Sequence, residues 1–320
     1  MAQTKSNQVR SEISRRKLID SLFAILGLLM IFVATFILLG LILQIVIEGI
    51  PRLNPQFFTS FPSRKAENAG ILSAWVGSSL VMLVTAVAAI PIGVASGIYL
   101  EEYARKNWLA AIIEINVTNL AGIPSIIYGL LALGLFVYRL ELGQSILTAG
   151  LTLALLILPI VIVTTREAIR SIPTSLREAA FAVGATKWQT VWDHILPYSL
   201  GSILTGIIIG LARAIGETAP VITIGALTFI AFLPDSPFNS TFPYFPLQNT
   251  FPFFNFQQFF AWLNAPFTIL PIQMFAWVSR PEQEFQINAA AAGTVLLMMT
   301  LGINGLAIYL RYRLRQGIKW

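Results

Sequence analysis

An all-α membrane protein with six transmembrane helices is the fold class this 320-residue sequence predicts, and three observations predict it. Apolar residues make up 56% of the chain and charged residues only 11%, a balance far from that of a soluble domain. The apolar residues gather into uncharged runs longer than the ~20 residues needed to cross a bilayer. The Lys and Arg residues between those runs fall mostly on one side of the membrane that six crossings would define.

In chain order, a basic tail over residues 1–20 comes first, with Lys5 to Lys17 as its charged part. The run between Asp20 and Glu48 holds 27 uncharged residues. It is too long for the apolar core of a secretion signal and no A-x-A-like site follows it, so residues 21–48 are expected to remain as a membrane anchor. After a loop with Pro51, Pro55 and Pro62, the uncharged run Asn68 to Leu100 exceeds one crossing and is expected to tilt or to extend beyond the hydrocarbon. The third and fourth spans are placed within Ile115 to Tyr138 and Leu142 to Thr165, each as a single crossing.

Tyr198 to Leu233 is apolar but interrupted by Arg213, Gly216, Glu217 and Pro220. One crossing here puts fifteen of the 21 Lys and Arg residues on the side of the two tails, five opposite and Arg213 in the membrane. The positive-inside rule then places both termini in the cytoplasm. A second crossing would export Arg311, Arg313, Arg315 and Lys319, so six spans are expected, the last at about Phe285 to Leu310. The net charge of +6 is what this orientation produces and does not call for nucleic acid. With no cysteine, disulfides, thiolate metal sites and cysteine nucleophiles are excluded.

The external segment 234–284 is rich in Phe and Pro and ends in an apolar run, Ala265 to Val278, too short to cross and suited to an interfacial or re-entrant piece. The aromatic part is either a lid on the membrane surface or a partner-docking element.

The loop 166–198 is polar and helix-forming. Ser175-x-x-Glu178 and Thr186-x-x-Gln189 are candidate capping boxes. Leu176, Ala179, Ala180 and Val183, then Trp188, Val191, Trp192 and Ile195, repeat with helical spacing. Gly184 is placed to end the first helix and Pro197 the second. Two short amphipathic helices at a glycine make a cytoplasmic knob, folded either on its own membrane domain or onto a partner. The single histidine, His194, is read as a solvated or interface residue, because zinc needs three or four ligands; no metal or cofactor is expected.

Arg213 and Glu217 lie four apart and so on one face of a helix. An isolated Arg at the centre of a membrane helix costs about 2.5 to 3.5 kcal/mol, and an intramembrane ion pair is a functional hypothesis by default, with a structural clamp between helices as the alternative. Gly216 and Pro220 weaken the helix there, which is tolerated where backbone lines a cavity or is buried in protein. Gly122 and Pro124 can open backbone N–H groups toward the same cavity. Gly93-x-x-x-Gly97 and Gly206-x-x-x-Gly210 read first as helix-packing motifs.

Glu178, Ala179, Ala180, Gly184, Leu196 and Pro197 together resemble the EAA loop of ABC-importer permeases, with His194 where the family usually has Ile. PIGVASGIYLEEYA (91–104), AGIPSIIYGLLALG (121–134), ARAIGETAPVI (212–222) and FTILPIQMFAWVSRPEQEF (267–285) resemble the permease subunits of the phosphate-specific (Pst) importer, and the last resembles the A-type subunit. The resemblance spans about residues 70 to 312. It implies a type I ABC importer permease (MetI-like) architecture over 68–311, with a cytoplasmic tail at 312–320, in a bacterial inner membrane.

It also implies a PstC-type partner permease, PstB-type cytoplasmic ATPase subunits that receive the EAA loop, and a PstS-type extracytoplasmic phosphate-binding protein. Because the chain has no G-x-x-x-x-G-K-[ST] phosphate loop, ATP hydrolysis is expected from the partner rather than from this chain. Arg213, Glu217 and Thr218 are expected on the substrate pathway, where a guanidinium offers paired donors to an oxyanion. A permease for molybdate or sulfate, or a lone secondary transporter using the ion pair as a proton relay, are the alternatives.

Overall fold

The computed structural model describes residues 2–105, 107–233 and 261–315. The aromatic run between residues 242 and 260 therefore lies outside the described residues. Helix α1 (Ala2–Gly49) continues through the expected N-terminal tail. A short α2 (Pro55–Thr59), capped by the Asn54 side chain, lies in the following loop. Helix α3 (Leu72–Ile98) ends in a π turn, Tyr99–Tyr103. Helices α4 (Trp108–Leu120) and α5 (Ser125–Ala132, then a π turn over Leu133–Arg139) follow, then α6 (Ile146–Arg170).

The remaining helices are α7 (Thr174–Ala182), α8 (Lys187–Gln189, then a π turn over Thr190–Ile195), α9 (Leu196–Gly216), α10 (Ala219–Thr223), α11 (Leu270–Val278) and α12 (Gln283–Arg315). Among the described residues five helical stretches are long and apolar enough to cross a membrane, and there are six if the bent pair α4 and α5 is counted as one broken span.

That bent pair corrects the straight third span expected from sequence, because its halves meet at 107°. The cause is local. Pro124 has no N–H and disfavours helical backbone at the residue before it, and the chain leaves the helix through tight turns, Gly122 N–H to Asn119 O (3.0 Å) and Ile123 N–H to Leu120 O (3.2 Å). The Tyr128 hydroxyl then donates to the Leu120 carbonyl at 2.7 Å and braces the elbow. The span also begins earlier than Ile115, because the Asn107 side chain caps α4 by accepting from the Ala110 N–H.

The core is α3, α6 and α9, brought close by small residues. A Cβ on Gly93 would meet the Val161 side chain and one on Gly97 that of Thr165. On α9 a Cβ at Gly206 would meet Thr164, and Gly210 faces Ile157. Both glycine pairs are therefore packing devices, as expected. Leu153, Ile157, Val161 and Ile203 are among the buried side chains of this core.

By contrast, every α1 side chain from Arg15 to Leu41 is exposed. Only the end of α1 is seated, with Gly49 against the Ala290 and Ala291 backbone and the Thr294 hydroxyl donating to Ile45 O (3.3 Å). Just beyond α1, Arg52 donates to Asn288 Oδ1 (2.9 Å) and to the Ala66 (2.9 Å), Ala69 (3.2 Å) and Glu67 carbonyls, tying the first loop to α12. Helix α11 occupies the short run expected to be interfacial or re-entrant, with Leu270, Gln273 and Trp277 buried.

Two local readings of the knob are corrected. The Ser175-x-x-Glu178 box does not form: α7 starts at Thr174 behind Pro173 with no side-chain cap, so Ser175 is already inside its first turn. Pro197 does not end the second helix either. The π turn lengthens the hydrogen-bonding step, Leu196 N–H reaching back to Val191 O, and Lys187–Gly216 runs on as one 30-residue helix.

Candidate functional site: an ion pair at a helix break and a knob on the same helix

Arg213 and Glu217 do pair, Arg213 Nε donating to Glu217 Oε1 at 3.1 Å. They are not on one helix, however. Helix α9 stops at Gly216, and Glu217 is extended (φ −80°, ψ 124°). The carboxylate thus reaches back to the last turn of α9 across a break, where an acid at a helix C-terminus is electrostatically disfavoured and an arginine favoured. Arg213 therefore both satisfies the helix end and holds Glu217. The carboxylate is largely buried and the guanidinium is more than a third exposed, so the arginine is the member accessible to a ligand.

Thr218 lies in the same break, and its carbonyl accepts from Val221 N–H (3.1 Å) and Ile222 N–H (3.0 Å), starting α10. Pro220 takes an early α10 position where its missing N–H costs nothing. Opposite lies α5. A Cβ on Gly129 would meet Thr223 Oγ1 and lie 2.6 Å from Pro220 Cα, so α5 and α10 touch backbone to backbone. The half-helix after one break is thereby packed on the half-helix after the other. Sequence reading missed Tyr128 and Gly129 in this role, although both lie in the Ala121 to Gly134 fragment. The idea that Gly122 frees its N–H toward the cavity is not met, because that group donates to Asn119 O.

At the Lys187 end of the 30-residue helix the knob takes shape. Gly184 has φ +86°, the left-handed conformation that favours glycine, and turns α7 toward α8. The Thr186 box forms: Gln189 N–H donates to Thr186 Oγ1 (3.3 Å), and Thr186 N–H donates to Gln189 Oε1 (2.8 Å). Of the two apolar stripes, Ala180, Val191 and Ile195 are buried, and Leu176 partly. Val183, Trp188 and Trp192 remain exposed with Phe181, and the two tryptophans stack at 5.4 Å.

Glu178, Ala179 and His194 are also exposed, and Leu196 and Pro197 are half-buried at the root of the knob. The knob therefore buries one half of its apolar residues against its own chain and presents the other half outward. Large apolar side chains exposed in an otherwise polar loop are the kind of surface that suits an interaction.

A family model described as "Binding-protein-dependent transport system inner membrane component" matches residues 89–319. The chain is 34% identical over 269 residues to the "Phosphate transport system permease protein PstA" of Yersinia pestis, covering 82% of this chain and 80% of that protein. It is also 34% identical over 231 residues to the "Probable ABC transporter permease protein YqgI" of Bacillus subtilis strain 168, covering 71% and 78%. Among solved structures, a MetNI methionine ABC transporter chain in an inward-facing conformation superposes with TM-score 0.54 and 17% identity, over 75% of this chain and 94% of that one.

Proposed function

The chain belongs to the family of inner membrane components of binding-protein-dependent transport systems, and on that premise we propose that it is the membrane-spanning permease subunit of an ATP-driven phosphate importer. A permease of this family is not itself a catalytic enzyme, and it works with an ATPase and a binding protein. The finer assignment takes the partners as a PstC-type permease, PstB-type ATPase subunits and a PstS-type phosphate-binding protein, with both termini in the cytoplasm. Phosphate is supported by the relatives named PstA. The observation that carries the reading is Arg213, held to Glu217 at a helix break on the same helix whose other end bears the knob.

A guanidinium offers paired N–H donors to phosphate oxygens and is weakly hydrated, so it can replace water around an oxyanion in a dry passage. Glu217 orients the guanidinium, and Thr218 sets the break. Through Glu178, Ala179, Ala180 and Gly184 the knob meets the ATPase, and Leu196 and Pro197 join it to α9. The rod from Lys187 to Gly216 is about 45 Å long at 1.5 Å per residue, enough to carry a cytoplasmic movement across the hydrocarbon.

The test is complementation of cells lacking their own phosphate importer with this chain and its partner subunits. Restored, ATP-dependent phosphate uptake is expected. Uptake of molybdate or sulfate but not phosphate would overturn the substrate, and uptake by the purified chain alone from a proton gradient would overturn the class.

A further inference from the structure

Between the knob and the bundle runs a strip of charge that the function proposed above leaves unused. Arg177, immediately before Glu178 on α7, donates Nε (3.1 Å) and a terminal N–H (2.7 Å) to Glu102 Oε1 in the π turn after α3. Its remaining donors go to the Ile172 (2.8 Å) and Ile169 (3.1 Å) carbonyls at the end of α6. Both charged side chains are more than four-fifths buried. Next to Glu102, Glu101 pairs with Arg166 (3.5 Å) and Arg170 (3.2 Å) of α6. The same two arginines reach Glu114 of α4, at 2.9 and 3.8 Å.

Helix α4 has no buried residue, and a cavity of about 500 Å³ lies beside its first turns, lined by Ala104, Asn107, Ala110 and Ala111. Little apolar packing fixes this half of the bent span, so its tie to α6 here is Glu114.

We infer that Glu102 and Arg177 are positioning residues that carry the movement of the knob into the bent span, along a second route parallel to α9. Arg177 is held at two elements at once, so α7 cannot shift without pulling on the π turn of α3 and on the end of α6. A partly dry ion pair resists separation more than a solvated one, because breaking it leaves a buried charge unpaired. The adjacent Glu101 passes the displacement to Arg166 and Arg170. Two arginines sharing two glutamates let Glu114 follow without any charge being stranded. Movement of α4 reaches α5 through the elbow braced by Tyr128, and α5 bears on α10 through Gly129, beside Glu217. The two routes thus converge on one break.

The inference rests on the docking role of the knob and not on the substrate. It is tested in the full transporter with its partner subunits, by hydrogen exchange of residues 108–120 without nucleotide and with ATP trapped, alongside phosphate moved per ATP hydrolysed. The wild type is expected to change exchange at 108–120 on ATP binding. Glu102→Gln should abolish most of that change and lower the coupling ratio about tenfold, within the range of ordinary coupling free energies, with α7 still protected by the ATPase. Glu102→Asp should retain both.

Since the chain has no cysteine, Glu102→Cys with Arg177→Cys gives a second measurement: uncoupled when reduced, recoupled when joined by a short thiol cross-linker. An unchanged response in assembled Glu102→Gln overturns the inference. So does a cross-linked pair as unresponsive as the reduced one, read in one preparation should Glu102→Gln fail to assemble. A wild-type complex that moves no phosphate overturns the substrate instead, and the exchange result still decides the route through Glu102 and Arg177.

Discussion

The two ends of the long helix from Lys187 to Gly216 meet similar sequence punctuation and answer it differently. At the knob end Pro197 should stop a helix, yet the π turn over Thr190–Ile195 absorbs it. The wider turn shifts the hydrogen-bond register, and buried Val191, Ile195 and Ser199 keep both sides of the proline packed against the bundle. At the other end Gly216 and Pro220 flank Glu217, no wide turn forms, and the helix ends. Gly216 meets nothing within 4 Å of where a Cβ would be, and the buried Pro220 and Val221 belong to α10 rather than to a continuation of α9. Punctuation sets where a helix can break, and packing decides whether it does. The continuous end carries the knob and the broken end holds the charge pair.

The largest way to break this comparison is at Gly184. The β-carbon of a leucine there meets no neighbour within 4 Å, so insertion should be normal. The left-handed backbone disfavours any β-carbon by about 1 to 2 kcal/mol, and the leucine would project beside the exposed aromatic patch. Gly184→Leu should remove the ATPase from the purified complex, and wild-type co-purification would contradict the docking role of the knob. A smaller effect is expected at the other end. Gly216→Ala favours helix by about 1 kcal/mol and should draw Glu217 toward helical register, lowering uptake by about tenfold at unchanged assembly. Unaltered uptake would mean that the break is incidental. The smallest effect belongs to Pro197→Ala, expected to keep uptake within about twofold because the rod already bridges that position; complete loss would mean that the proline itself is needed.

Much of this architecture was legible from the chain. Six spans came from apolar length and the sidedness of Lys and Arg, both properties of solvation that need no tertiary knowledge. The Thr186 box and the Gly184 turn are local hydrogen-bond geometry, and the glycine pairs on α3 and α9 mark close approach wherever they fall. What stayed hidden depends on partners far away in sequence or on competition between neighbours. Pro173 ahead of Thr174 displaced the Ser175 box. Glu217 left the helix because Pro220 belongs to the start of a new one, and the 107° bend is more than the Pro124 signal alone specifies. The junction of Glu101, Glu102 and Glu114 with Arg166, Arg170 and Arg177 joins residues as far as 75 positions apart, which no periodicity can reveal.

The central claim is that one helix joins the ATPase-facing knob to an anion-handling pair at its far end. Arg213→Gln tests it most directly, because glutamine keeps a polar, hydrogen-bonding side chain while removing the charge and the guanidinium fork. Purified with its partners, the variant should hold the ATPase at wild-type stoichiometry and hydrolyse ATP, while phosphate uptake falls by about a hundredfold or more, the scale of losing charge-assisted bonds at a dry site. Wild-type uptake by the assembled variant would contradict the account and leave the pair as a clamp at a helix end.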